Sequence, residues 1–446
     1  MDLLPFMPQV QALEARGMTF NDYFVSDSLC CPSRSSIFTG DFPHDTGVFT
    51  NVGLDGGIRA FYSHGDENHT FNLALEAAGY QTATMGKYLN GYLNRRQSPV
   101  SDTYVPPGWN EWDVVGDGYP EFNYEMNEDG QLDHYGDRAD DYLTHVLANR
   151  AVAFIDRAAK QTEPFLLEVA TFAPHRPYTP APRYANAFPG LIAPEPPNFN
   201  VLPINPPSWL TGHPPLTTAQ IQEINQVEQE RAEAVQSVDD MISSIENSLA
   251  DHRMLKNTYI VFSSDNGLHL GEYRLMPGKL TAYDTDIHVP LVVAGPGVPP
   301  GSSTDAMTEN IDLAKTFTEI GGTTLPSDGH SLMPLLEGQH PADWRNAILV
   351  EHHGPAYGRA DPDAQNFDSG NPTSYEAMRT PDFLYVEYAN GEKEFYDLKT
   401  DPYELDNIVT SLTPTELALL HQELLALEHC HGGKDCWAAA HVAPGP

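Results

Sequence analysis

Apolar residues along this chain repeat with two different periods, and their alternation sets the first expectation. Within residues 138–160, Leu143, Val146, Leu147, Phe154 and Ile155 fall on one helical face. The run 165–170, Phe-Leu-Leu-Glu-Val-Ala, is short and apolar enough for a buried strand. Residues 219–249 predict a long helix that ends before a second such run at 259–262. Further helices are predicted over 8–16, where Pro8 suits a first turn, and over 70–78, which Gly79 stops. Strands are predicted at 81–85, 289–294 and 347–350. Helices alternating with such strands predict an α/β fold: a large, mostly parallel sheet flanked by helices.

Two stretches break the rhythm. Between Pro164 and Pro215 lie 14 of the 38 prolines, which excludes regular structure and predicts a long ordered loop of the kind that lines sites. After about residue 337 the pattern becomes antiparallel: strands at 383–388 and 394–396 flank the turn signal Asn390-Gly391, and a helix follows over 415–427. The expected organisation is a catalytic domain over 1–337 and a smaller α+β subdomain over 338–446. There are no internal repeats.

Composition narrows the partners. The chain has 446 residues and a net charge of −38, with only 24 Lys and Arg together. Such a surface repels nucleic acid and anionic membranes, so neither is expected as a partner. Any site for an anion must therefore concentrate its few cations, and eight lysines make their placement informative. No apolar run approaches the roughly 20 residues of a membrane span. Cys430 and Cys436 suit a small disulfide loop in an oxidising compartment, with zinc held by them, His429 and His431 as the less favoured reading. No signal peptide is visible, and secretion or periplasmic export is expected only if the native N-terminus carries one.

The candidate chemistry gathers where strands end, which is where open α/β sheets bind ligands. Asp265-Asn266-Gly267 follows the 259–262 strand and offers a carboxylate and an amide oxygen, hard ligands suited to Ca²⁺ or Mg²⁺. Taken alone it would read as a plain turn. Lys87 follows the 81–85 strand beside Gly86, which permits close backbone approach, and His175 follows the 165–170 strand. A lone lysine is usually a solvated charge and a lone histidine usually structural; three strand ends carrying polar candidates favour function. The nucleophile is sought in Cys30-Cys31-Pro32-Ser33-Arg34. A phosphatase loop Cys-x5-Arg is excluded because Ser36 stands six residues after Cys30, and no Gly-x-Ser-x-Gly elbow or Gly-rich P-loop occurs.

Taken in order, these motifs resemble those of the sulfatases in the alkaline-phosphatase superfamily, above all the glycosaminoglycan sulfatases. The matching segments are 29–34, 86–90, 173–175 with 180–188, 264–267 with His269, 286–297 and a late Glu394-Phe395-Tyr396-Asp397-Leu398. The resemblance implies that Cys30 is oxidised to formylglycine by a formylglycine-generating enzyme, with Cys31 in a variable slot. It implies hydrolysis of sulfate esters on a sulfated small molecule or glycan, with Ca²⁺, or Mg²⁺ as the alternative, held by Asp265, Asn266 and position 30. It assigns Arg34 to the diol and Lys87 and Lys279 to the sulfate oxygens. His175 is placed as proton donor to the leaving oxygen, and Asn90 and His269 as substrate contacts. The family also begins with a strand ending in paired metal-binding aspartates, and Met1-Asp2 stands just beyond the matching position, where Asp2 is a poor substitute. Two alternatives stay open: a phosphodiesterase or phosphonate monoester hydrolase on the same scaffold, and a non-catalytic glycan-binding relic.

Overall fold

The structure is a computed structural model that describes every residue except 1, 95, 356–360 and 362. Its α/β character follows the sequence rhythm, with helices against mixed sheets. One sheet has five strands in the order Gln131–Tyr135, Tyr124–Glu128, Glu111–Val115, Gln81–Lys87, Phe165–Ala170. The last three are mutually parallel, and Gly86 makes their packing close: a Cβ there would lie 2.1 Å from the Ala170 carbonyl oxygen. A second sheet runs Ser302–Thr304, Met18–Phe20, Leu291–Ala294, Ile260–Ser263, with the last two pairs antiparallel. Parallel pairing is thus concentrated in the strands that carry Lys87 and His175.

Helix boundaries have local causes. The long helix Thr218–Asp251 opens at Thr217, whose hydroxyl accepts from the Gln220 N–H in a capping box. The helix expected from 138 begins instead at Leu143, because Leu143 gives its N–H to the Glu121 carbonyl and the preceding turn is 3-10. Residues 171–216 hold no helix or strand longer than an isolated bridge, as their prolines require. Among the described residues no helix is long and apolar enough to cross a membrane.

The C-terminal region forms an antiparallel sheet, Ile348–His352, Tyr375–Arg379, Phe383–Tyr388, Lys393–Asp397, whose last hairpin turns at Gly391 with φ 88°. The helix Pro414–Glu428 covers it through Leu420, Leu424 and Leu427. Cys430 and Cys436 are joined in a disulfide, which takes both sulfurs out of the zinc alternative.

One feature departs from expectation. The strands Phe165–Ala170 and Ile260–Ser263 are half-buried along their whole lengths, not buried. Each is the end strand of its sheet, and both line a cleft of about 1530 Å³. Leu166, Val169, Val261 and Phe262 line it, Leu3 and Leu4 border it, and it runs to Lys87, His175, Asp265 and Lys279.

Candidate active site

Cys30 opens the helix Cys30–Thr39, which is buried at every position but Ile37 and ends on Gly40 in the left-handed region, φ 78°. Its N-cap, Leu29, supplies no side-chain cap; Asn51 Oδ1 accepts the Cys31 N–H at 2.9 Å instead. Cys30 Sγ is buried among charged side chains. It lies 3.0 Å from the Lys87 ammonium, 3.0 Å from the Lys279 ammonium and 3.4 Å from Asn266 Oδ1. In a chain this acidic, two of its eight lysines converge on one sulfur. Cys31 is fully buried, and burial pushes its thiol up to about 12, which disfavours the thiolate.

The remaining expected residues fall into two groups. Asp265 lies beside the cluster, 3.7 Å from Lys87. Burial alone would raise its carboxyl; Lys87, Arg34 and Lys279 more than offset that and hold it below the ordinary carboxylate value. His175 enters from the proline-rich loop, with Nδ1 on the Arg176 carbonyl at 2.9 Å and Nε2 on Asp363 at 2.7 Å. Burial opposes its charged form, but Asp363 outweighs it and lifts His175 to about 9. Asn90 is buried and gives Nδ2 to the Tyr119 hydroxyl at 3.2 Å.

Arg34 and His269 are engaged elsewhere. The Arg34 guanidinium donates to the Lys87 and Tyr88 carbonyls and to Glu168, so it anchors the strand end that carries Lys87. His269 is fully buried, with Nδ1 on Asp286 and Nε2 on the Ser369 carbonyl, each at 3.0 Å. Neither ring nitrogen is free to meet a ligand.

Three residues that sequence reasoning missed complete the site. Asp363, from the segment after the Ile348–His352 strand, places Oδ1 2.9 Å from Lys279 and Oδ2 3.4 Å from Cys30 Sγ. Burial works against its charge, yet Lys279 and His175 hold it far below the ordinary carboxylate value. Asn51 ties it down, with Nδ2 2.9 Å from Asp363 and 3.1 Å from Asp361. Tyr119 follows the Glu111–Val115 strand and packs its ring on Phe172 and His175, with centroids 4.9 and 4.6 Å away. The Gly-Asp-Gly before Tyr119 was a legible turn signal; nothing local marked Asp363 or Asn51.

Donor chemistry separates two constellations. Asp265 and Asn266 Oδ1 offer hard oxygens beside position 30 and fit part of a Ca²⁺ shell, which takes six to eight such ligands. Cys30, His175 and Asp363 also bring ligand atoms within 4.8 Å of one another. There, however, the Lys279 ammonium already balances the charge.

Cations and oxygen ligands gathered around one buried cysteine suit an anionic ester. The chain belongs to the sulfatase family, whose model matches residues 2–323, and an N-sulphoglucosamine sulphohydrolase C-terminal model matches 271–429. It is a sulfuric ester hydrolase with the alkaline-phosphatase-like architecture. The chain is 36% identical over 444 residues to an N-acetylglucosamine-6-sulfatase of Capra hircus, covering 93% of this chain and 78% of that protein. The N-acetylglucosamine-6-sulfatase of Homo sapiens is also 36% identical, with 93% and 79% covered. A solved structure in complex with its substrate D-glucosamine-2-N,6-O-disulfate matches at TM-score 0.76 and 25% identity, over 95% of this chain and 91% of that one. The phosphonate monoester hydrolase of Agrobacterium radiobacter shares the fold at TM-score 0.70 and 20% identity, over 95% and 90%.

Proposed function

We propose that the chain removes sulfate from sulfated sugars, with amino sugars esterified at O6 as the substrate class, through formylglycine at position 30 and a bound Ca²⁺. The observation that carries the reading is the pair of ammonium groups 3.0 Å from Cys30 Sγ. Hydrated formylglycine offers two hydroxyls on one carbon, one to attack sulfur and one to release it; Ca²⁺ held by Asp265, Asn266 and position 30 would polarise the sulfuryl group.

The other roles belong to the chain's own side chains. Lys87 and Lys279 neutralise charge on the sulfuryl oxygens from fixed positions, so little reorganisation accompanies the reaction. Arg34 holds the Lys87 backbone and thereby aims its ammonium. His175 is held as imidazolium beside the nucleophile, ready to give a proton to the departing sugar oxygen. Asn90 and Tyr119 wall the sugar side. The relatives named for N-acetylglucosamine 6-sulfate support the amino-sugar class.

The reaction class is tested by comparing an aryl sulfate with the matching aryl phosphonate on protein co-produced with the formylglycine-generating enzyme. Sulfate turnover should dominate, and dominant phosphonate turnover would transfer the chain to the alternative class.

A further inference from the structure

The Asp363 carboxylate stands in the middle of the groups assigned to the substrate anion. It touches Lys279 at 2.9 Å, His175 at 2.7 Å, Asn51 at 2.9 Å and Cys30 Sγ at 3.4 Å. Its side chain is 5% exposed, and Asp361 fixes its backbone by accepting the Asp363 N–H at 2.9 Å. A negative charge buried this deeply is costly unless matched, and Lys279 and His175 match it here. Lys87 and Lys279 bring two ammonium groups to Cys30 Sγ, and Asp363 sets a carboxylate against one of them. The balance without Asp363 would suit an anion of higher charge.

We propose that Asp363 is a specificity-determining residue that tunes the site to singly charged sulfuryl esters and against doubly charged phosphate monoesters. The inference rests on the sulfatase reading above and names what excludes its nearest chemical mimic. A sulfate monoester carries one negative charge. A phosphate monoester is a dianion above its second pKa of about 6. Both share the tetrahedral shape, so shape alone separates them poorly. A fixed carboxylate among the anion-binding groups repels the second charge at close range, where the low local dielectric leaves it weakly screened. It also competes with either ester for Lys279 and His175, and the more strongly bound cations favour the ligand that adds least repulsion. Asn51 keeps the carboxylate in place through its bonds to both Asp361 and Asp363.

The test measures selectivity in the metal-loaded protein at pH 8, where phosphate monoesters are dianions. Binding of 4-nitrophenyl sulfate and 4-nitrophenyl phosphate is read by calorimetry in the Cys30→Ala background, and kcat/KM for both in the converted enzyme. Asp363→Asn should lower the sulfate-over-phosphate ratio at least tenfold in both readouts, mainly through gained phosphate affinity. A ratio unchanged within twofold, or an equal loss for both esters, would overturn the proposal and leave Asp363 as a post for Lys279 and His175. If Asp363→Asn does not fold, Asn51→Ala decides: it frees the carboxylate and should shift the ratio the same way, and an unmoved ratio overturns the proposal. A parent enzyme that turns over neither ester sinks the sulfatase reading itself, and this inference with it. A parent active on sulfate with an unmoved ratio in the variants sinks the inference alone.

Discussion

Replacing Lys279 by methionine should separate what this side chain does for the fold from what it does for the chemistry. Its ammonium and the Asp363 carboxylate are 2.9 Å apart, both side chains only 5% exposed. At an effective dielectric of about 20 the attraction is on the order of 6 kcal/mol, most of it spent on desolvating the two charges. Removing one partner of such a pair costs about 3–5 kcal/mol, because the other stays buried and unmatched. His175 and Lys87 still face Asp363, which places the expected loss at the lower end, about 3 kcal/mol. The same ammonium lies 3.0 Å from Cys30 Sγ, where charge develops on the sulfuryl oxygens, and losing one such donor lowers kcat by roughly 10²–10³. Urea unfolding and aryl sulfate turnover are measured for Lys279→Met, Asp363→Asn and the double variant. Stability should largely return in the double variant, whereas turnover should not. Turnover that returns with stability would mean Lys279 serves only to neutralise Asp363, and its place in the chemistry would be lost.

Three other expectations follow from the same geometry. Cys30→Ala should abolish sulfatase activity with the fold intact and Cys31→Ala should keep it, since Cys31 is buried away from ionisation; equal loss in both would misplace the nucleophile. Asp265→Ala should remove the rise in melting temperature that Ca²⁺ gives the parent, a term worth about 2.7 kcal/mol at a hundredfold excess over Kd, and a persisting shift would refute the metal role. His44 bridges Glu351 and the Cys430 carbonyl; burial opposes its charge, but Glu351 outweighs it and holds the imidazole at about 9. Its stabilisation is therefore full below about pH 6.5 and fades as pH rises through 9, about 1–3 kcal/mol once the burial cost of Glu351 is counted. The unfolding free energies of the parent and His44→Phe should converge between pH 6 and 10, and a constant gap would contradict the assignment.

How much of this was legible in the sequence depended on whether the cause was local. Elements with a solvent side announced themselves through periodicity, as the long helix and the C-terminal hairpin at Asn390-Gly391 did. The helix Cys30–Thr39 did not, because a helix buried on nearly all sides has no polar stripe to give it a period. Short strands such as Met18–Phe20 are held by neighbours far along the chain, not by their own pattern. Lys87, His175 and Asp265 could be read because each follows an apolar strand. Asp363 meets Cys30 across 333 positions from a segment with no regular structure, so only the folded chain reveals it. Arg34 was legible as a motif residue, but its partners are backbone carbonyls, which no side-chain pattern encodes.

The central claim is that this site releases sulfate from a sulfated amino sugar with a nucleophile made from Cys30. Its most direct test is to produce the protein with and without the formylglycine-generating enzyme, verify conversion of Cys30 by intact mass, load Ca²⁺, and measure inorganic sulfate released from N-acetylglucosamine 6-sulfate. Release by the converted protein and none by the unconverted one is the expected result; converted, folded, metal-loaded protein that frees no sulfate from this or any other sulfated sugar would contradict the account.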